Sequence, residues 1–156
     1  MRIVFFGSPT EAAASLESLI AAGHDIAAIY SQPDRNSGRG RNKTATPVKA
    51  FALQNELPVF TPKGLRNNVE ELERLTKLNA DAFVVVAYGR ILPIEILQVP
   101  PMGVVNIHPS LLPKYRGPSP VVTAILEGED TAGVTIMLLD EGMDTGPILA
   151  QSTPVR

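Results

Sequence analysis

An imidazole that could move a proton, that of His108, lies two positions after an amide that could stabilise an oxyanion, that of Asn106. Both are in the predicted strand Val104 to His108. Alternate residues of a β-strand point to the same face, so this spacing places the amide beside the imidazole near the strand's carboxyl end. Pro109 restricts His108 to extended backbone and thereby fixes the direction of its ring. From the spacing alone, a hydrogen-bonded loop histidine beside a turn asparagine is the favoured interpretation of the pair.

A carboxylate that could act with this pair is Asp144, in the polar segment LDEGMDTG at residues 139–146. The segment follows a second apolar strand, so it too is expected at a carboxyl end, where open α/β sheets bind ligands. An amide, an imidazole and a carboxylate that meet there could move a proton and stabilise an oxyanion. A solvated acidic turn explains the same residues. The chain has no G-x-S-x-G string, which favours direct transfer to an external nucleophile over a covalent enzyme intermediate.

Composition restricts the class of protein. The chain has 156 residues, 44% of them hydrophobic, and a formal net charge of -2, which suits one globular domain without global affinity for nucleic acid. Its lack of cysteine excludes disulfides, thiolate catalysis and cysteine-ligated metals, and fits a reducing compartment. The longest apolar run, Ala82 to Ala87, is too short to cross a bilayer, and no signal-peptide core precedes Gly7. We therefore expect a cytoplasmic protein.

Hydrophobic periodicity predicts alternating strands and helices. The predicted strands are Arg2–Phe6, Ile26–Tyr30, Val59–Phe60, Phe83–Ala87, Val104–His108, Gly133–Leu139 and Pro147–Ser152. The predicted helices run from Thr10 to Gly23, from Thr46 to Glu56, from Val69 to Lys77 and from Pro118 to Glu127. This order indicates an α/β fold with a doubly wound, mostly parallel open sheet. Because the chain stops just past a strand, we expect residues 1–156 to form a domain that is incomplete at its C-terminal end.

Positive charge is concentrated in residues 35–43, here called the basic segment, within the nearly apolar-free stretch QPDRNSGRGRNKTAT. Asp34 opposes four cations, which are Arg35, Arg39, Arg41 and Lys43. Long structureless loops in compact domains are usually functional or disordered, and four cations spaced by glycines could follow a phosphate backbone. A solvated, flexible loop is the alternative.

Two strings together resemble the formyltransferases that use 10-formyltetrahydrofolate. They are NIHPSLLP at residues 106–113, followed by KYRG, and LDEGMDTG at residues 139–146. Within that family the chain looks most like the members that formylate methionyl-tRNA. The supporting strings are FFGSP at 5–9, QPDR at 32–35, GRG at 38–40, PVK at 47–49, VVAYGRILP at 85–93 and GVTIM at 133–137. The resemblance extends over essentially all of the chain.

The resemblance implies a Rossmann-like formyltransferase domain with Asn106, His108 and Asp144 as catalytic residues. It implies 10-formyltetrahydrofolate as formyl donor, without a metal. The implied folate-binding residues are Val86, Tyr88, Gly89, Ile91, Leu92, Ser110, Leu111, Leu112, Pro113 and Asp140. The implied contacts with the acceptor stem of initiator methionyl-tRNA are Arg35, Arg39, Arg41 and Lys43. Family members of this kind continue into a tRNA-binding β-barrel domain, which we expect to be absent here, and we expect a monomer.

The chemistry implied by the resemblance agrees with the residue pattern. The free amine of the methionyl group attacks the formyl carbon, and Asn106 and His108 stabilise the charge that grows on the formyl oxygen. Asp144 orients His108 and helps relay the amine proton toward folate N10. The sequence leaves open whether His108 acts as a base or as a cationic electrophile.

Other acceptors stay open as alternatives. A formyltransferase acting on glycinamide ribonucleotide would carry a glycine-rich phosphate loop after its first strand, where this chain has Gly7, Ser8 and Pro9. An enzyme acting on an amino sugar would share the three catalytic residues. A non-catalytic folate-binding module is the rival from a different class, and the intact trio argues against it.

Overall fold

Seven of the strands form one sheet in the computed structural model, which describes residues 1–37 and 42–155. The strands are β1 Arg2–Gly7, β2 Asp25–Tyr30, β3 Arg35–Ser37, β4 Asn42–Thr44, β5 Val59–Phe60, β6 Ala82–Val86, β7 Val104–His108, β8 Thr135–Leu138 and β9 Ile148–Gln151. The helices are α1 Thr10–Ala21, α2 Pro47–Gln54, α3 Val69–Lys77, α4 Ile94–Leu97 and α5 Pro120–Leu126. None of the helices in the described ranges is long and apolar enough to cross a membrane.

The large sheet has the strand order β5-β2-β1-β6-β7-β8-β9. Its strands from β5 to β7 are parallel, whereas β8 is antiparallel to both β7 and β9. This confirms the predicted doubly wound, mostly parallel sheet. The chain moves outward from β1 to β2 and then crosses back to β6 on the other side of β1. The carboxyl ends of β1 and β6 therefore form a topological switch point, the place where such sheets bind ligands.

The core has two layers because successive strand residues point to opposite faces. Phe5 lies in one layer with Leu16 of α1 and Val48 of α2. Phe6 lies in the other layer, where its ring stacks on Tyr30 with centroids 4.9 Å apart. All five residues of β6 are buried, which confirms the central parallel strand that its continuous apolar run predicts.

The direction of β8 corrects one expectation about Asp144. The sequence pattern predicts that this residue lies at a carboxyl end beside that of β7. In the structure Val105 lies opposite Leu138 and His108 lies opposite Thr135, so β8 ends beside the amino end of β7. The connection from β8 to β9 must therefore fold back along the sheet to bring Asp144 to His108. An apolar run alone does not encode strand direction, which is why the pattern could not reveal this.

The two ends of the basic segment pair with each other, which the sequence did not predict. Arg35 pairs with Thr44 and Asn36 pairs with Lys43, so β3 and β4 form an antiparallel pair at its two ends. At its base Lys49 Nζ lies 2.7 Å from Asp34 Oδ1. The expectation of a loop without structure is thus wrong for these ends. The pairing left no sequence signal because it buries no apolar face, and Arg39 and Arg41 lie outside the described residues.

Helix α3 buries a charged side chain, Glu71, against the sheet. The Tyr30 hydroxyl donates to Glu71 Oε2 at 2.8 Å, and Arg74 forms an ion pair with Glu71 Oε1. Burial and the bond to Glu71 raise the pKa of Tyr30 well above its usual value. Tyr88 lies in the same layer without such a partner. Within the described part of the chain its hydroxyl is the only buried side-chain polar atom that lacks a hydrogen bond, and burial raises its pKa to about 12.

Tyr30 and Tyr88 allow a matched test of this core. Tyr30→Phe removes a partner from a buried carboxylate and is expected to lower the free energy of unfolding by about 1 to 3 kcal/mol. Tyr88→Phe removes only an unpartnered hydroxyl, so the free energy should stay the same or rise. Urea unfolding with unchanged m-values measures both. Equal losses for the two variants would contradict the hydrogen-bond assignment.

Candidate active site

Asn106, His108 and Asp144 lie together on one face of β7. Asn106 Nδ2 donates to Asp144 Oδ1 at 3.5 Å, and His108 Nδ1 lies 3.7 Å from Asp144 Oδ2. The side chains of His108 and Asp144 are 5% and 12% exposed. The imidazole and the carboxylate are therefore largely shielded from water, where charge interactions gain strength, whereas Asn106 is half-buried. The structure thus brings together the three residues that the sequence analysis singled out.

The loop after β8 holds Asp144 through tight backbone packing. Asp144 has a left-handed φ of 53°, and its Oδ2 accepts a hydrogen bond from Gly117 N–H at 2.7 Å. Gly146 passes so close to the carbonyl of Leu138 that any Cβ there would overlap it. Asp140 Oδ1 closes the turn by accepting from Gly142 N–H at 2.9 Å and from the Thr145 hydroxyl at 2.7 Å. In this structure the Asp140 carboxylate therefore shapes the loop that carries Asp144.

The imidazole of His108 has a second partner. Its Nε2 lies 2.9 Å from the carbonyl oxygen of Tyr115. A carbonyl oxygen only accepts hydrogen bonds, so in this contact Nε2 carries the proton. Tyr115 itself has a left-handed φ of 58°, which is uncommon for a bulky side chain.

Thr135 anchors the loop after β7, and the sequence analysis missed this residue. It is fully buried opposite His108, and its hydroxyl donates to Ser110 O at 2.7 Å and accepts from Leu112 N–H at 3.1 Å. Gln151 of β9 adds to this anchor, because its Nε2 donates to Leu112 O at 2.9 Å. The string GVTIM marked this strand, but only the antiparallel register shows which of its residues faces the site.

The folate-binding residues suggested by the resemblance fall into two groups. Ile91 and Leu92 line a cavity of about 340 Å³ that also contacts Glu141 and Arg66. Ile91 is 86% exposed and Gly89 has a left-handed φ of 79°, so this strand end offers an open surface. The side chains of Val86 and Tyr88 are instead buried in opposite core layers. Only backbone atoms of those two residues are available to a ligand.

The side chains of the segment from Ser110 to Pro113 differ in burial. Ser110 and Leu112 are buried, and the Ser110 hydroxyl donates to Lys114 O at 2.7 Å. Leu111 lines a second cavity of about 400 Å³ together with Val121 and Ile125 of α5. Pro113 is exposed.

Polar contacts also tie together the turns at the switch point. Gln32 Nε2 donates to Tyr88 O at 2.9 Å, and Gln32 N–H donates to the Ser8 hydroxyl at 3.2 Å. The turns after β1, β2 and β6 are thereby held in fixed positions relative to one another.

Arg35 and Lys43 are exposed on the basic segment. In the described ranges no three potential metal-ligating side chains of His, Asp or Glu lie together.

Comparison with known proteins gives close relatives in sequence. The methionyl-tRNA formyltransferase of Chloroflexus aggregans is 55% identical over 152 residues, which cover 97% of this chain and 49% of the relative. The protein of the same name from Roseiflexus sp. is 56% identical over 154 residues, which cover 98% of this chain and 47% of the relative. The chain therefore spans about half the length of the curated relatives it matches.

Solved structures share the fold described above. A phosphoribosylglycinamide formyltransferase from Bacillus halodurans superimposes with a TM-score of 0.79 at 29% identity, over 99% of this chain and 79% of that one. The family model described as formyl transferase matches residues 1–155. This agrees with the resemblance carried by residues 106–113 and 139–146. The match includes every strand of the sheet and all three clustered polar residues. The chain therefore belongs to the formyl transferase family.

Proposed function

We propose that this protein transfers the formyl group of 10-formyltetrahydrofolate to the free amino group of initiator methionyl-tRNA, in the cytoplasm and as a monomer, for translation initiation. The observation that carries the proposal is the cluster of Asn106, His108 and Asp144 in a chain 55–56% identical to proteins named methionyl-tRNA formyltransferase. The acceptor, the donor and the roles of the residues are parts of this proposal.

Asn106 is suited to bind the formyl oxygen. Its Nδ2 carries two hydrogens, and only one can point at Asp144 Oδ1. The other is available to the oxygen that becomes negative when the amine attacks the formyl carbon. A fixed donor in a shielded site stabilises such an oxyanion more strongly than water does, because it need not reorient during the reaction.

Asp144 and His108 are suited to move the proton. When the new N–C bond forms, the attacking nitrogen must lose a proton, and when the old bond breaks, folate N10 must gain one. The His108 ring lies beside the Asp144 carboxylate, which stabilises the ring when it is positively charged. The pair can therefore hold the proton between the two steps, and at the end of the reaction both residues are back in their starting protonation state.

The surrounding surfaces suit the two substrates. The cavity beside Ile91 and Leu92 has apolar walls and also contacts three charged side chains, those of Arg66, Glu95 and Glu141. Apolar walls with a few polar groups are typical of sites that bind small molecules. Arg35 and Lys43 are exposed and therefore accessible to phosphates.

An acceptor assay tests the proposed function directly. The protein is incubated with 10-formyltetrahydrofolate and, separately, with methionyl-tRNA, glycinamide ribonucleotide or an amino sugar nucleotide. We expect formylmethionyl-tRNA as the dominant product. Glycinamide ribonucleotide is the second candidate acceptor because of the structural similarity to the Bacillus halodurans enzyme, and its preferred formylation would overturn the proposed acceptor.

Substitution of Asn106 and of His108 tests the mechanism. Asn106→Ala or His108→Ala is expected to raise the barrier to formyl transfer by about 2 to 4 kcal/mol while donor binding changes little, since each removes a group that acts mainly in the transition state. Steady-state kinetics and calorimetric titration of the donor measure the two effects. Asn55→Ala and His24→Ala are matched controls at positions away from the cluster. Near-wild-type turnover of either site variant would remove that residue from the mechanism.

Neutralising the basic segment tests its contact with tRNA. Arg39, Arg41 and Lys43 changed together to glutamine should raise the KM for methionyl-tRNA and flatten its salt dependence, because each lost phosphate contact removes about 0.7 to 0.9 from the logarithmic slope. Donor affinity should not change. Filter-binding titrations at several salt concentrations measure the slope, with Lys77→Gln as the control. An unchanged slope would support the solvated-loop alternative.

A further inference from the structure

The loop after β7 makes hydrogen bonds to both His108 and Asp144. The carbonyl of Tyr115 receives His108 Nε2 at 2.9 Å, and two residues later Gly117 N–H binds Asp144 Oδ2 at 2.7 Å. The position of this short stretch therefore sets the geometry on both sides of the imidazole. Tyr115 adopts left-handed backbone, so surrounding contacts must hold it in place.

Those contacts converge on one carboxylate oxygen. Glu129 Oε1 accepts from the Tyr115 hydroxyl at 2.7 Å and from Lys114 Nζ at 2.7 Å. The bond to Glu129 raises the pKa of Tyr115 to about 12, and the bonds from Lys114 and Tyr115 lower the pKa of Glu129. Hydrogen bonds to an ionised group are stronger than neutral ones, so this oxygen is well suited to fix the Tyr115 side chain.

Glu129 is itself held by the end of α5. Its backbone N–H donates to Ala124 O at 3.0 Å, directly after Gly128 with its left-handed φ of 68°. The side chain of Glu129 is 25% exposed. It contacts neither Asn106 nor His108 in the structure. Any influence on the reaction must therefore pass through the loop residues that it binds, Lys114 and Tyr115.

The imidazole of His108 lies between two acceptors that compete for its proton. The Tyr115 carbonyl faces Nε2, and Asp144 Oδ2 lies 3.7 Å from Nδ1. A neutral imidazole has one N–H, so it can satisfy only one of them. With the Tyr115 carbonyl in place the proton stays on Nε2, and Nδ1 is left as the nitrogen that can accept a proton. If the carbonyl moves away, Asp144 draws the proton to Nδ1.

We infer that Glu129 is a positioning residue for formyl transfer: by holding Tyr115 it keeps the proton of neutral His108 on Nε2. The inference rests on the proposed function. In that reaction Nδ1 takes the proton released by the attacking amine as the N–C bond forms, and Asp144 stabilises the resulting imidazolium. The same proton then passes to folate N10 as the old bond to the formyl carbon breaks.

The test combines a spectroscopic readout with kinetics. The chain has 2 histidines, so the imidazole nitrogen resonances of His108 can be assigned by comparison with a His24→Gln variant. At about pH 9, we expect neutral His108 of the wild-type protein to be almost only in the Nε2–H form. Glu129→Ala and Tyr115→Phe should shift a substantial fraction of His108 to the Nδ1–H form. The kcat for formyl transfer should fall about tenfold, with the donor KM unchanged within about twofold.

Two further variants separate this role from general stability. Glu129→Gln keeps the oxygen that accepts both bonds and should retain the wild-type tautomer and most of the kcat. Glu127→Ala removes a neighbouring exposed carboxylate and should change neither. Tyr115→Phe is the second route should Glu129→Ala unfold.

The outcomes also separate this inference from the proposed function. A wild-type tautomer in both Glu129→Ala and Tyr115→Phe would overturn the inference, and so would a shifted tautomer with unchanged kcat. The tautomer is measured without substrate, so a wild-type protein that shows the expected Nε2–H form but no formyl transfer would overturn the proposed function. It would also remove the catalytic part of the inference and leave only the structural contact.

Discussion

The geometry of the site depends on the contacts that the Asp144 carboxylate makes. One oxygen receives Gly117 N–H at 2.7 Å and lies 3.7 Å from His108 Nδ1, and the other receives Asn106 Nδ2 at 3.5 Å. Three separate segments, the strand β7, the loop that follows it and the connection from β8 to β9, thus meet at a single side chain. Because the group is largely buried, losing any one partner would leave polar atoms without compensation.

The fold provides this contact through a reversal of strand direction. β8 runs antiparallel to β7 and ends beside the amino end of β7. The connection that follows β8 therefore has to return along the sheet to reach His108. Gly146 permits the close approach to Leu138 that this return requires, and Asp140 closes the turn. The register then places Thr135 under the loop after β7, where its hydroxyl binds Ser110 and Leu112. The β8–β9 hairpin therefore positions both Asp144 and the loop after β7.

The sequence predicted the strands and helices better than it predicted strand direction and tertiary contacts. The apolar run in β6 indicated a buried central strand, and the spacing of Asn106 and His108 correctly placed them on one face, because both signals are local. The direction of β8, the β3–β4 pair and the core position of the Tyr88 side chain depend on tertiary contacts that leave no periodic pattern. The same reason explains why Thr135, Tyr115 and Glu129 were missed, since the strand register and the tertiary hydrogen bonds that involve them leave no local pattern.

Replacement of Asp144 by asparagine tests the central claim that this carboxylate organises proton transfer. Asparagine keeps an oxygen for Gly117 N–H but removes the charge beside His108, so the donor should still bind while proton transfer is impaired. Single-turnover formyl transfer and calorimetric donor affinity, measured on the same preparation, separate the two effects. The account predicts a rate lowered by about 100-fold or more with donor affinity nearly unchanged. A rate close to that of the wild-type protein would contradict it.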